Sequence, residues 1–192
     1  MQRALGDQYK LLSMLGRGGM GVVYLARQGG LERLVAVKVL SPSIATPESR
    51  ERFRHEARMA AGLTHPNILP VYAFGEAGEL PYIVMGYVRS ETLADQLRHE
   101  RRVPLGRARK ILADLASALD YAHRHSVIHR DIKPENILLE DGSDRALLMD
   151  FGIARSRTAG APITASGIAV GTPMYMSPEQ ATGDRDIDHR SD

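Results

Sequence analysis

The sequence predicts an α+β fold in two lobes, a small one on an antiparallel sheet and a larger, mainly helical one. Three observations lead there. Residues 9 to 85 hold short runs rich in β-branched and aromatic side chains, punctuated by glycine and proline, with one helical stretch among them. Residues 104–125 carry apolar side chains at helical spacing. After them comes a strand-turn-strand unit, preceded by His129-Arg130-Asp131-Ile132-Lys133-Pro134-Glu135-Asn136 and followed by Asp150-Phe151-Gly152.

In chain order, Tyr9 to Gln28 reads as a hairpin around Gly16, Gly18 and Gly21. Gly29-Gly30 is a turn, and a third strand runs from Leu31 to Leu40. Thr46-Pro47-Glu48 has the form of an N-cap, an N1 proline and a first-turn acid. The helix it opens extends to Leu63, with Phe53, Ala57, Ala60 and Ala61 on one apolar face. Strands over Ile68–Phe74 and Leu80–Met85 complete the small lobe. Leu93 and Leu97 mark a short helix. Pro104 to His125 is a longer one, with Ile111, Leu115, Leu119 and Ala122 as its buried stripe.

The chemistry lies between these elements. Asp131 supplies a basic oxygen, and Asn136 and Asp150 supply two hard metal ligands, all at one hairpin. Phosphoryl transfer asks for a positioned hydroxyl, Mg²⁺ on the phosphates and cations on the developing charge. Upstream, Gly16-Arg17-Gly18-Gly19-Met20-Gly21-Val22-Val23 reads G-x-G-x-x-G-x-V, with no Cβ to keep backbone from phosphate at its glycines. Alone this spacing is weak, since dinucleotide-binding turns share it. Those turns open a helix, however, and Val22 to Ala26 continues as a strand. In Val35-Ala36-Val37-Lys38, Lys38 alternates away from the valines. Glu56 stands beside the apolar face of the following helix, where it could pair with Lys38. In isolation it would read as one more surface acid among arginines.

Together these segments resemble a protein kinase domain, most like the bacterial, eukaryotic-like (Hanks-type) serine/threonine kinases. The resemblance runs from about Tyr9 to Asp192. It rests on Leu15 to Tyr24, Val35 to Lys38, Glu56, His65-Pro66-Asn67-Ile68, His129 to Asn136, Asp150-Phe151-Gly152, and Gly171-Thr172-Pro173-Met174-Tyr175-Met176-Ser177-Pro178-Glu179-Gln180. Departures are small: Ser177 precedes Pro-Glu where many members have Ala, Ser90 holds a turn position often given to Gly, and Leu147 replaces a basic residue.

The resemblance implies a small lobe over residues 9–87 and a large lobe over 88–192, with Gly86-Tyr87-Val88 as the hinge. It implies ATP with Mg²⁺, or Mn²⁺ in its place, and proteins bearing Ser or Thr as substrates. Asp131 would orient or deprotonate the acceptor hydroxyl, Lys133 would neutralise the γ-phosphate, and Thr172 would hydrogen-bond both. Lys38 would hold the α- and β-phosphates and pair with Glu56, with the metal on Asn136 and Asp150. Leu15, Gly16, Gly18, Gly21, Val23, Ala36, Met85, Tyr87, Val88 and Leu138 would surround the nucleotide. His129, Arg130, Phe151 and Glu179 would be structural. Thr164 and Ser166 would be regulatory phosphosites, with Ser156 and Thr158 as weaker candidates, and Arg130 would pair with the phosphate so introduced. A homodimer would serve trans-autophosphorylation.

The family's large lobe is expected to continue past Asp192 into further helices. Asp192 itself is expected to accept hydrogen bonds from the backbone around Asp131, and a basic partner for Glu179 to lie beyond it. A shortened large lobe leaves an alternative, a nucleotide-binding fragment or scaffold without activity.

Composition sets the remaining bounds. The 192 residues include no cysteine and carry a net charge of +2, with 25 basic and 23 acidic side chains. A reducing, cytoplasmic setting fits, and the overall field argues for no polyanion. There is no basic stripe with interleaved aromatics, so no nucleic-acid partner is expected. Neither a signal peptide nor a membrane-spanning run is evident, and any membrane attachment is expected only through a segment after Asp192. Arg98 to Lys110 is a locally basic run that reads as a solvated face. His123 and His125 fall on different sides of a helix and are not a metal pair.

Overall fold

The computed structural model describes residues 5, 8–18, 21–78, 80–151, 173–184 and 186–192. The chain divides into two compact units. One comprises residues up to Thr64 together with Leu69–Arg89, and the other His65–Ile68 with Ser90–Asp192.

The first unit is a five-stranded antiparallel sheet and one main helix. Strands β1 (Tyr9–Gly18), β2 (Gly21–Gln28), β3 (Arg33–Leu40), β4 (Val71–Ala77) and β5 (Leu80–Gly86) are ordered β1-β2-β3-β5-β4. Val35, Val37 and Val39 alternate onto one face of β3. There they join Tyr9, Ala26, Tyr82, Val84 and Leu5 in a closed cluster, with Tyr9 and Tyr82 edge to face at 6.0 Å. Each buried Val or Leu among them contributes about 1.5–3 kcal/mol by leaving water.

Helix α1 (Pro47–Ala61) starts where its cap predicts, the Thr46 hydroxyl accepting from Ser49 N at 3.2 Å. Its buried positions are Phe53, Glu56, Ala57 and Ala60. Ala61, expected on that face, is exposed because the helix ends there and Gly62 caps it. Strand β4 begins at Val71, three residues later than expected. Pro70 cannot donate to a ladder, and Ile68 instead forms a parallel bridge with Leu148 in the second unit.

The second unit holds α2 (Leu93–Glu100), α3 (Leu105–Arg124) and a small sheet ordered β6 (Ser90–Thr92), β7 (Ile137–Glu140), β8 (Ala146–Leu148). Helix α3 packs on β8 and buries Ile111, Leu115, Ala118 and Ala122. Ala118 takes the place expected for Leu119, which is half-buried, so the stripe steps by three rather than four after Leu115. Asp114 on α3 accepts from Ala146 N at 2.9 Å. His65–Ile68 belongs here through side-chain and backbone bonds. Asn67 Nδ2 donates to Ala146 O at 2.9 Å, Leu148 N donates to Asn67 O at 2.8 Å, and His65 Nε2 meets Ser117 Oγ at 3.2 Å. A short helix, α4 (Pro178–Thr182), follows Ser177 and ends at Gly183, whose φ of 73° suits a residue without Cβ.

Candidate functional site

In the first unit, strand register decides which side chains meet. Val23 lies opposite Lys38, Lys38 opposite Ile83, and Ile83 opposite Phe74. Directly opposed residues of antiparallel strands share a face. Ala36, opposite Met85, lies two residues along β3 on that same face. Phe74 meets Phe53 of α1, ring centroids 6.3 Å apart, so α1 covers this face. Glu56, one turn after Phe53, is thereby brought to Lys38, with Nζ 3.7 Å from Oε1 and side chains only 10% and 8% exposed. At that depth a charge is costly without an opposite one nearby.

The glycines of the β1–β2 turn differ from one another. A Cβ at Gly16 or Gly18 would meet nothing within 4 Å, whereas one at Gly21 would run into the Val39 carbonyl of β3. The backbone of β3 is therefore what forbids a side chain at Gly21. Leu15 is exposed, Val23, Tyr87 and Val88 are half-buried, and Ala36 and Met85 are buried.

In the second unit, the β7–β8 hairpin pairs Ile137 with Leu148, and Met149 N donates to Asn136 O at 3.0 Å. Asn136 and Asp150 thus stand at one end of the hairpin. Asn136 Nδ2 donates to Asp131 O at 2.7 Å and to Asp131 Oδ2 at 2.9 Å, which turns its amide oxygen away from Asp131. Lys133 Nζ lies 2.7 Å from the same Oδ2. Asp131, Lys133 and Asn136 therefore form one cluster of half-buried or buried groups. Leu138 sits half-buried on β7, opposite Thr92 and Leu147.

Besides Asn136, three anchors among the described residues hold the turn that carries Asp131. The first is His129, fully buried, its ring 4.6 Å from that of Phe151. Its Nε2 donates to Met149 O at 3.0 Å and its Nδ1 accepts from Asp131 N at 3.2 Å. Only the neutral imidazole can do both. Burial accordingly pushes its pKa below the ordinary 6.5, against weaker opposing pulls from the Met149 carbonyl and nearby carboxylates.

Asp192 is the second anchor. Its wholly buried carboxylate accepts from His129 N at 2.7 Å and Arg130 N at 2.6 Å, as expected, and pairs with His123 Nε2 at 2.8 Å. The third is Gln180, whose Nε2 donates to Arg130 O at 3.0 Å. Arg130 needs such holding: its φ is +64°, a left-handed conformation that costs a residue with a Cβ about 1–2 kcal/mol. Its Nε is buried without a hydrogen-bond partner among the described residues. Asp150 is also left-handed, with φ of +59°.

Glu179 takes the Ser191 hydroxyl, and this hydrogen bond is the main reason its pKa falls below the usual carboxylate range. The expected basic partner is not found among the described residues. Thr172, Thr164, Ser166, Ser156, Thr158 and Gly152 lie outside them. Sequence reasoning missed Gln180 and the His123–Asp192 pair. The S-x-x-Q spacing of a capping box was a readable signal for half of what Gln180 does.

Comparisons with known proteins bear on both units. A family model described as the protein kinase domain matches residues 9–192. The chain belongs to the protein kinase family. Among curated relatives of this kinase domain, serine/threonine-protein kinase PknB of Mycobacterium leprae is 46% identical over 193 residues, covering 98% of this chain and 31% of its own length. PknB of Mycobacterium tuberculosis is 46% identical over 194 residues with the same coverage. The chain thus spans about a third of the length of these relatives. The crystal structure of the Mycobacterium tuberculosis PknI kinase domain superposes with a TM-score of 0.75 at 35% identity, covering 96% of this chain and 68% of that one. The fold is the protein kinase fold, with an antiparallel-sheet lobe and part of a helical lobe.

Proposed function

We propose that this kinase domain transfers the γ-phosphoryl group of ATP to serine and threonine hydroxyls of proteins. The observation that carries the reading is the cluster of Asp131, Lys133 and Asn136 at the hairpin end that also bears Asp150. Asp131 receives the hydroxyl proton as the oxygen attacks. The Lys133 ammonium, 2.7 Å from its carboxylate, meets the transferring group's negative charge. Lys38, steadied by Glu56, would hold the α- and β-phosphates, with the glycines of the β1–β2 turn against them. Val23, Ala36 and Met85 of the first unit would line the base, with Leu15, Tyr87 and Val88 at its edge.

The donor set suits a magnesium ion. Among the described residues no group of three or more His, Cys, Asp and Glu is gathered as a metal cage. Mg²⁺ is ordinarily held by one or two protein oxygens together with phosphates and water, and the Asn136 amide oxygen and the Asp150 carboxylate offer that. When bound, the ion would neutralise charge on the phosphates. Arg130, whose Nε is buried without a hydrogen-bond partner among the described residues, supports a switch in which phosphate on Thr164 or Ser166 pairs with the guanidinium beside Asp131. A homodimer would permit that phosphorylation in trans. Among the described residues no helix is long and apolar enough to cross a membrane.

The test is incubation of the whole protein with γ-labelled ATP, with and without Mg²⁺. Phosphoamino-acid analysis should return phosphoserine and phosphothreonine, dependent on Mg²⁺. Phosphotyrosine as the main product, or no transfer, would overturn the reading.

A further inference from the structure

Arg130 is left-handed, and both of its backbone polar groups are held by side chains from distant parts of the chain. Its N–H goes to Asp192 and its C=O accepts from Gln180. Gln180 has a double attachment. Its Oε1 accepts from Ser177 N at 3.0 Å, closing a capping box with the Ser177 hydroxyl, which accepts from Gln180 N at 3.3 Å. The amide thus uses its acceptor on the helix start and its donor on the catalytic turn. Cap geometry alone needs only the acceptor, and glutamate would supply it equally well.

We infer that Gln180 is a positioning residue for phosphoryl transfer. Its donor Nε2 clamps the strained Arg130 carbonyl and so sets where the Asp131 carboxylate points. The inference rests on the proposed function for its kinetic consequence but not for its structural one. A peptide unit in the left-handed region relaxes unless its surroundings over-determine it. Asp192 holds the leading N–H and Gln180 the trailing C=O, and the latter opens the peptide leading directly to Asp131. The clamp also ties segment 173–183, which carries α4, to the catalytic turn through one hydrogen bond.

Gln180→Glu discriminates. The carboxylate keeps the acceptor for Ser177 N and removes the donor to Arg130 O. In the whole protein, kcat should fall about 10- to 100-fold, the cost of a small misplacement of a reacting group, while the KM for ATP stays within about twofold. Amide exchange at Asp131 should quicken, while Ala181 N, bonded to Ser177 O inside α4, stays protected. A second variant guards against a mere folding defect. Arg130→Gly removes the left-handed strain, so Gln180→Glu in that background should cost less than about threefold. Equal losses in both backgrounds would overturn the inference, as would wild-type kcat together with wild-type exchange at Asp131. Should the wild type transfer no phosphate, the proposed function fails, and the exchange measurement still decides the clamp.

Discussion

Lys38 and Glu56 meet because β3 alternates and α1 repeats every 3.6 residues. Asp131 and Lys133 sit in a turn without a repeat, fixed by hydrogen bonds from His129, Asn136, Gln180 and Asp192. In the first region, regular structure delivers the chemistry. Register puts Val23, Lys38, Ile83 and Phe74 in one row, and the Phe74–Phe53 contact seats the helix that carries Glu56. In the second, every anchor is a polar side chain, and two of them reach across the sequence, Asp192 from 62 residues and Gln180 from 50 residues away. The first arrangement fails by distortion of a sheet and the second by loss of single atoms.

The largest effect should come from breaking the second region. Asp192→Ala leaves His129 N and Arg130 N buried without their acceptor, at about 1–3 kcal/mol for each stranded donor. Urea unfolding should show a loss of about 3 kcal/mol. A loss below about 1 kcal/mol would mean that the turn is held by other means.

Breaking the first region should cost less. Gly21→Ala drives a Cβ into the Val39 carbonyl and prises β2 from β3 at their end. Overfilling of this kind costs about 1–3 kcal/mol. The same change at Gly16 or Gly18 meets open space and should shift the unfolding midpoint far less. Equal effects at the three glycines would contradict the register account.

The smallest effect is the pH dependence that His129 imposes. Its folded pKa lies below the unfolded 6.5, because burial disfavours the charged ring. The unfolded chain therefore binds the proton more readily. Stability is fully present above pH 6.5 and is lost as pH falls from there towards the folded value, by no more than about 1.4 kcal/mol per pH unit. Unfolding midpoints at pH 7.5 and 5.5 should differ in the wild type, and the difference should shrink in His129→Gln. An unchanged difference would remove His129 from the account.

The same contrast explains what the sequence could reveal. The strands of the first unit and the Thr46 cap are legible because alternation and capping encode them locally, while the Lys38–Glu56 pairing follows from the family resemblance. The start of β4 is not legible, because Ile68 is as good a β-former as Val71. Only its long-range bridge to Leu148 takes it out of the sheet. Ala61 and Leu119 fit an idealised stripe but not the helix end or the step after Leu115. In the second unit, the identities of Asp131, Lys133, Asn136 and Asp150 were readable as a motif. What steadies them was legible only in part. Asp192 followed from family resemblance, while nothing in the neighbourhood of Gln180 points to an Arg130 carbonyl 50 residues back.

The most direct test of the central claim, that the Asp131 turn performs phosphoryl transfer, is γ-phosphate transfer by Asp131→Asn set beside its ATP affinity. The asparagine keeps an oxygen for Asn136 Nδ2 and removes the base. Transfer should fall by about 10²–10⁴-fold, with the dissociation constant for Mg-ATP within about threefold of wild type. Transfer near the wild-type rate in Asp131→Asn would contradict the account.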